Sequence, residues 1–471
     1  MKSRVTAMGW SGFLVLAAAM AAAACGGDDG GAGPDAAPQT NHVDNPQPAS
    51  GGGVGSGAVN GELNVFVLDA RTKAVIEGAD VTVVRSAAPL TGKTDSKGLH
   101  TFTDAGLAGA QVIAVSAAGH VPATWYGANG AVVTVTLDPT DAAPAPDTAQ
   151  VSGTMSLAAP TQANHFSAAI VLYSFTRNLD APENKIQQPT GPGPNDPPLD
   201  VCVRPLIGST CSWSLVTRTG AQTHYAIIVD VDTKGTATNS DDSFTVTGFA
   251  GRSGINLTKD QTVTNETLTT LDAGDVATLN VTFPASAPTG LAQVAAIPIL
   301  QLGDERMIFP LPSISPAASS AKVPKASGPF AGGKWTVIAQ AKVSGMASDP
   351  ASSIFKRDLD PAQTVTLGEF PALPTGLAAG GGTFSFAQVA GASLHLAEVD
   401  DSTGKPLWKA VVLDATKELS ITQTPDPLPA GSLKLKVVAG SVAGFDAGNF
   451  TVDDVIEKID TLSSQVATFQ H

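Results

Sequence analysis

Basic residues, cysteine and large aromatic side chains are all scarce in this sequence. Lysine and arginine number 27 against 42 acidic residues, so the 471-residue chain has a net charge of −15. Such a chain offers no basic surface that could neutralise phosphate groups, which argues against nucleic acid as a partner. The same acidity gives the folded surface no general attraction for anionic lipid.

Sequence motifs of catalysis are missing as well. The chain has no HExxH zinc motif, no phosphate-binding glycine loop followed by lysine and serine, and no nucleophile elbow. Seven histidines are scattered along it, from which the fold could still assemble a catalytic triad. The sequence nevertheless predicts a protein that is not an enzyme and needs no cofactor.

The first 25 residues indicate where the chain works. Lys2 and Arg4 precede an almost unbroken apolar run that begins near Gly12 and ends in small residues before Cys25. A basic start, a short apolar segment and a small-residue cleavage site are typical of a secretory signal peptide. The apolar run is too short and wrongly flanked for a stable transmembrane helix.

The cysteine at this cleavage site resembles the lipobox of bacterial lipoproteins. In that family the signal is removed just before the cysteine, whose thiol receives a diacylglycerol. The resemblance implies a signal peptide over residues 1–24, lipidation of Cys25 and membrane attachment through the N-terminus. Gly26 stands where aspartate retains enterobacterial lipoproteins in the inner membrane, which implies the outer membrane. The open alternative is an ordinary signal peptide, with Cys25 merely the first mature residue.

Cys202 and Cys211 are the other two cysteines. An exported protein works in an oxidising compartment, where a pair of cysteines normally forms a disulfide. A metal or catalytic role would require CxxC spacing or clustered histidines nearby, and neither is present. A structural disulfide is therefore predicted.

Composition separates linkers from folded segments. Residues 25–59 are mostly glycine, proline and small polar residues, which cannot repay the entropy of ordering and predict a disordered tether. Residues 139–150 predict a second, proline-rich linker. From residue 60 onward, short alternating apolar segments separated by turn residues predict β-strands.

The first folded segment has a recognisable succession of strands and turns. Leu63, Val65 and Val67 alternate with other residues, and Asp95 to Gly98 has turn chemistry between two strand candidates. This succession resembles the carboxypeptidase regulatory-like module, a transthyretin-like β-sandwich, over residues 60–138. The resemblance implies a stalk or binding accessory without catalytic residues.

A repeat divides the later part of the chain. The segment Pro-Thr-Gly-Leu, preceded by Phe-Pro, occurs around Gly290 and again around Gly376, 86 residues apart. This is the length of one immunoglobulin-like domain, and each copy has the pattern of a final strand, a proline hinge and a new first strand. Sandwiches are therefore predicted over residues 151–283, 284–374 and 375–471, the last of which resembles a fibronectin type III repeat.

One amphipathic helix is predicted near the end of the chain. Its apolar positions follow helical spacing from Val452 to Leu462, with Thr451 as the N-cap. The predicted fold class is all-β, with tandem immunoglobulin-like and transthyretin-like β-sandwiches and this one short C-terminal helix.

Two loops of the second sandwich are candidates for binding. The stretch from Asn178 to Asp200 is rich in proline and asparagine and predicts a long surface excursion, the leading contact surface. Asp230, Asp232 and Asp241 have the spacing of a calcium loop. Lys234 occupies the fifth position, where a cation opposes calcium, so an ordinary acidic hairpin is favoured and the metal site is only a weak candidate.

These features predict a lipid-anchored protein of the bacterial outer membrane or cell surface, a scaffold or adhesion module for protein or glycan. The alternatives are an accessory or degenerate subunit of a surface peptidase or glycosidase, and a structural component of an envelope complex. An exposed aromatic platform would favour a glycan partner. The tryptophans that follow the signal peptide are Trp125, Trp213, Trp335 and Trp408.

Overall fold

The computed structural model describes residues 42–49, 51–86, 88–178, 181–186, 188, 199–236, 242–309, 314–343, 350–380, 383–416, 418–420 and 428–471. The predicted signal peptide, Cys25 and the tether up to residue 41 lie outside this part of the chain. The described residues form two compact units. One contains residues 42–142, 350–352 and 371–471, and the other contains residues 143–343 and 353–370.

Strands make up nearly all of the regular structure. Those before residue 143 are β1 (Gly53–Gly55), β2 (Asn60–Asp69), β3 (Asp80–Val84), β4 (Leu90–Lys93), β5 (Leu99–Ala108), β6 (Gln111–Ser116), β7 (Ala123–Ala128) and β8 (Val132–Leu137). Those from residue 143 to residue 370 are β9 (Thr148–Ser156), β10 (His165–Tyr173), β11 (Leu199–Val203), β12 (Thr210–Arg218), β13 (Gly220–Asp232), β14 (Ser243–Leu257), β15 (Thr262–Thr267), β16 (Thr269–Thr270), β17 (Val276–Thr282), β18 (Gln293–Leu302), β19 (Glu305–Ile308), β20 (Ser320–Pro324), β21 (Lys334–Lys342), β22 (Ala351–Leu359) and β23 (Thr364–Thr366).

The last hundred residues contain the helix α1 (Val452–Lys458) and the strands β24 (Thr375–Gly380), β25 (Thr383–Ala387), β26 (Leu394–Asp400), β27 (Pro406–Val412), β28 (Glu418–Ser420), β29 (Ser432–Val442), β30 (Phe450–Thr451) and β31 (Ile459–Gln470). The predicted all-β fold class is thus confirmed. Thr451 caps α1, because its Oγ1 accepts a hydrogen bond of 3.1 Å from the Asp454 amide. The helix ends before the predicted Leu462, because Ile459 already begins β31.

In the first unit, strands from the two ends of the sequence share sheets. One sheet has the order β30-β1-β8-β2-β5, and another runs β31-β29-β26-β27-β7-β6-β3-β4. The join between β7 and β27 is parallel and pairs Ala123 with Lys409. Trp408 Nε1 donates a 3.1 Å hydrogen bond to Thr124 Oγ1 across this join. The predicted domain boundaries remain predictions, yet the first and last segments are continuous in hydrogen bonding.

The end of the predicted tether differs from the structure. Residues 51–59 lie within the predicted tether, but β1 pairs with both β8 and β30, and Val54 is buried. A Cβ on Gly53 would lie 2.3 Å from the Phe450 carbonyl oxygen. Glycine here permits close packing of two strands instead of chain flexibility.

The other unit contains the second predicted sandwich and the third. The second packs the sheet β11-β10-β13-β14-β16 on the sheet β12-β9-β15, with Trp213 in the core between them. The third has the sheet β20-β17-β23 and the strands β19-β18-β21-β22. Phe309 lies within 5.2–6.1 Å, between ring centroids, of four aromatic rings of this unit: Tyr225, Phe249, Phe330 and Trp335.

Candidate binding surface

The loop between β11 and β12, residues 204–209, presents the most exposed apolar side chains of the described structure. We call it the tip loop. Leu206 is 90% exposed and Ile207 is 93% exposed. Among the described residues, the only other exposed large hydrophobic side chain is Val75, at 45%. Pro205 and Gly208, whose φ is +92°, favour a sharp bend at this point.

A disulfide closes the base of the tip loop. Cys202 and Cys211 are bonded, with their Cα atoms 5.5 Å apart. Cys202 belongs to β11, which pairs with β10, whereas Cys211 belongs to β12, which pairs with β9. The bond therefore connects the two sheets of the second sandwich, and both cysteines are buried in its core.

Hydrogen bonds hold the two stems of the loop. The Arg204 amide donates to the Ser167 carbonyl oxygen at 3.0 Å, and Arg204 Nε donates to the Leu157 carbonyl oxygen at 3.2 Å. On the other stem, the Leu157 amide donates to the Ser209 carbonyl oxygen at 2.8 Å. Within the described structure only Leu206, Ile207 and Gly208 of this loop lack a hydrogen bond of this kind, so the exposed pair stands on a fixed base.

The apex of the tip loop and the loop beside it carry no charged side chains. Residues 157–164, which connect β9 to β10 beside it, include no acidic or basic side chain, and neither do residues 205–210. Arg204 lies at the base of the loop and forms no salt bridge with any described residue. In a chain with a net charge of −15, these two loops carry no negative charge.

Asp230 and Asp232 of the weak calcium candidate lie at the same end of the sandwich. Asp230 Oδ2 contacts His165 Nδ1, and Asp232 bonds the Lys234 ammonium. The hydrogen bonds from Lys234 hold the pKa of Asp232 below its ordinary value. Asp241 lies outside the described residues, and within them no group of three or more His, Cys, Asp or Glu side chains could hold a metal ion.

The predicted contact loop, Asn178 to Asp200, differs from expectation where it is described. Ile186 packs in a buried cluster with Tyr173 and Phe175. Gln188 donates to the Val216 carbonyl oxygen at 2.6 Å and accepts from the Val216 amide at 2.8 Å. The loop was predicted to be wholly superficial, but it contributes to the core because its few apolar residues can fold back. Residues 179–180, 187 and 189–198 lie outside the described structure.

The tryptophans that the structure describes provide no exposed aromatic platform. Each of the four described ones is at most 3% exposed, namely Trp125, Trp213, Trp335 and Trp408.

None of the described helices has the length and hydropathy of a membrane-spanning segment.

Sequence reasoning missed Leu206 and Ile207. The signal was present: two large aliphatic residues stand between a proline and a glycine, in a segment enclosed by two cysteines. A turn this short cannot bury both side chains, so an apolar pair at such a position indicates exposure.

No family model matches the chain, and no curated protein does. Among solved structures, the Bacillus anthracis TIE protein aligns with 66% of this chain at 11% identity and a TM-score of 0.15, and the chain spans 50% of that protein's length. A candidate carbohydrate-binding protein from Bacteroides uniformis aligns with 42% of this chain and 98% of its own, at 12% identity and a TM-score of 0.15. A Ca²⁺-stabilised adhesin with which an Antarctic bacterium binds ice aligns with 88% of this chain and 99% of its own, at 13% identity and a TM-score of 0.13. Such low scores carry no functional argument.

Proposed function

We propose that this chain is a lipid-anchored protein of the bacterial outer membrane or cell surface, acting without catalysis as a scaffold or binding module. Its anchor is Cys25, and its first sandwich is the carboxypeptidase regulatory-like module of residues 60–138. The linker 139–150 and three further sandwiches, over residues 151–283, 284–374 and 375–471, complete the proposed division.

The observation that supports a binding role is the tip loop. Exposing two large aliphatic side chains on a disulfide-closed base has no benefit for folding, because the same loop would be equally stable with polar residues. The exposed groups are aliphatic and the four described tryptophans are buried, which favours an apolar binding partner over a glycan.

Anchoring is tested by metabolic labelling with an alkyne analogue of palmitate in a diderm bacterium. The intact chain should become labelled and should sediment with the outer membrane, whereas Cys25→Ala should be unlabelled. An unlabelled intact chain, or label that persists in Cys25→Ala, would contradict the proposal.

Binding is tested with the Leu206→Ser/Ile207→Ser double variant. Cells that display it should lose adhesion relative to the intact chain, and Val75→Ser serves as the matched control because Val75 is also exposed but lies in the other compact unit. Equal adhesion by all three chains would show that the tip loop does not bind.

One observation favours the alternative of an accessory or degenerate peptidase or glycosidase subunit. His165 contacts Asp230 and lies 3.7 Å from Asp232, measured between Nε2 and Oδ1. The Lys234 ammonium bonds Asp232, which weakens its capacity as a general base or a metal ligand. Turnover of casein or of nitrophenyl glycosides that is lost in His165→Ala would support this alternative; we expect none.

A further inference from the structure

We propose that the tip loop inserts Leu206 and Ile207 into the surface of a lipid bilayer. This inference names the partner of the binding site proposed above. It rests on the proposed function in one respect, namely that a membrane anchor keeps the chain close to a bilayer.

The size of the exposed apolar surface favours lipid over protein. Two aliphatic side chains offer on the order of 200 Å² of apolar area. A stable protein interface requires about 800 Å² from each partner, and the side chains around this pair are small or polar. A bilayer needs no matching surface, because it can admit single side chains from a convex loop.

The charge around the tip also suits a lipid surface. The two adjoining loops, residues 157–164 and 205–210, contain no carboxylate that an anionic headgroup would repel. Asp230 and Asp232, at the same end of the sandwich, contact His165 and Lys234. Arg204 stands at the base of the loop with no acidic partner among the described residues. Its Nε and Nη1 donate to the Leu157 and Pro205 carbonyl oxygens, which fix the guanidinium at the base of the loop, where its positive charge can attract a lipid phosphate.

The predicted anchor would make weak insertion effective. Cys25 precedes the first described residue, His42, by 17 residues, which can span at most about 60 Å. A chain held within that distance experiences a high effective concentration of lipid. Two aliphatic side chains then act as a second, reversible attachment, comparable to the second signal that stable membrane binding requires.

The test uses residues 26–471, which include every described residue, with an N-terminal hexahistidine tag. The protein is held on vesicles of phosphatidylethanolamine, phosphatidylglycerol and a nickel-chelating lipid, so the result does not depend on acylation of Cys25. Ile207→Trp introduces an exposed indole into a protein whose described tryptophans are buried. Val75→Trp is the matched control, because the tether brings both indoles near the vesicle.

Lipids with brominated acyl chains should quench the added emission of Ile207→Trp and leave that of Val75→Trp unchanged. Without the nickel-chelating lipid, Leu206→Ser/Ile207→Ser should lower the vesicle partition coefficient by roughly tenfold or more for each side chain. Equal quenching at both positions, or none at position 207, would overturn the proposal. A double variant that keeps its vesicle binding but loses a purified protein partner would also overturn it and would assign the tip to a protein pocket.

Discussion

Two consecutive loops of the second sandwich differ in the burial of their apolar residues. The loop from β10 to β11 buries Ile186 against Tyr173 and Phe175, whereas the loop from β11 to β12 holds Ile207 in solvent. The longer loop has enough chain to fold back onto the sandwich. The shorter one is closed by a disulfide and bent by Pro205, so its apex cannot reach the core. Loop length and closure, more than composition, decide which apolar side chains remain available for binding.

The largest effect should come from replacing isoleucine in the loop that folds back. Ile186→Ala should lower the free energy of unfolding by about 3 kcal/mol, because the substitution leaves a cavity beside Tyr173 and Phe175. Ile207→Ala should change it by less than about 0.5 kcal/mol, because that side chain is already in water. Urea denaturation followed by tryptophan fluorescence measures both. Similar losses in the two variants would show that the tip packs against the protein.

Removing the disulfide should have the next largest effect. The free energy of unfolding of the Cys202→Ala/Cys211→Ala variant should be about 2 to 3 kcal/mol lower, since the bond closes a short loop and connects two sheets. A reducing agent should destabilise the intact chain by a similar amount and leave the double variant unchanged. If the reductant acted equally on both, its effect would have another origin.

The secondary structure could largely be predicted from the sequence. The strand patterns, the all-β class and the position of the C-terminal helix followed from periodicity and capping, because these signals are local. The fate of Ile186 was not predictable in this way. Its burial depends on where a long loop returns to the sandwich, which no local pattern encodes.

The joined sheets of the first unit were missed for a related reason. Ala123 and Lys409 pair in parallel although 286 residues separate them. Each of these strands would have the same alternation of apolar and polar residues inside a self-contained sandwich. The pattern alone therefore cannot distinguish a strand at the edge of a sheet from a strand that pairs with a distant segment. The closely packed Gly53 shows the same limitation. The composition of a glycine-rich stretch is the same whether it packs as a strand or forms a flexible tether.

A smaller effect is expected at Gln188, where the long loop is attached by hydrogen bonds instead of apolar contact. In the same urea denaturation, Gln188→Ala should lower the free energy of unfolding by about 1 to 2 kcal/mol. The substitution leaves the backbone amide and carbonyl of Val216 without their side-chain partner. Gln162→Ala, at an exposed position beside the tip loop, is the matched control and should be nearly neutral. Equal values for the two variants would mean that the loop is not attached there.

The smallest expected effect concerns calcium. It tests whether the contacts of Asp230 and Asp232 prevent these carboxylates, at the end of the sandwich beside the tip loop, from binding a metal ion. Asp232 accepts hydrogen bonds from Lys234, which lower the pKa of this carboxyl, so Asp232 stays ionised as the pH falls from 7 to 5. Since Asp230 contacts His165 and Asp232 already has a cation, millimolar calcium should raise the melting temperature of the intact chain by less than about 1 °C. Lys234→Ala frees an oxygen of Asp232, so any response to calcium should be larger in that variant. A shift of several degrees in the intact chain, abolished by Asp230→Asn, would mean that the metal displaces Lys234 and that this end of the sandwich changes charge when it binds.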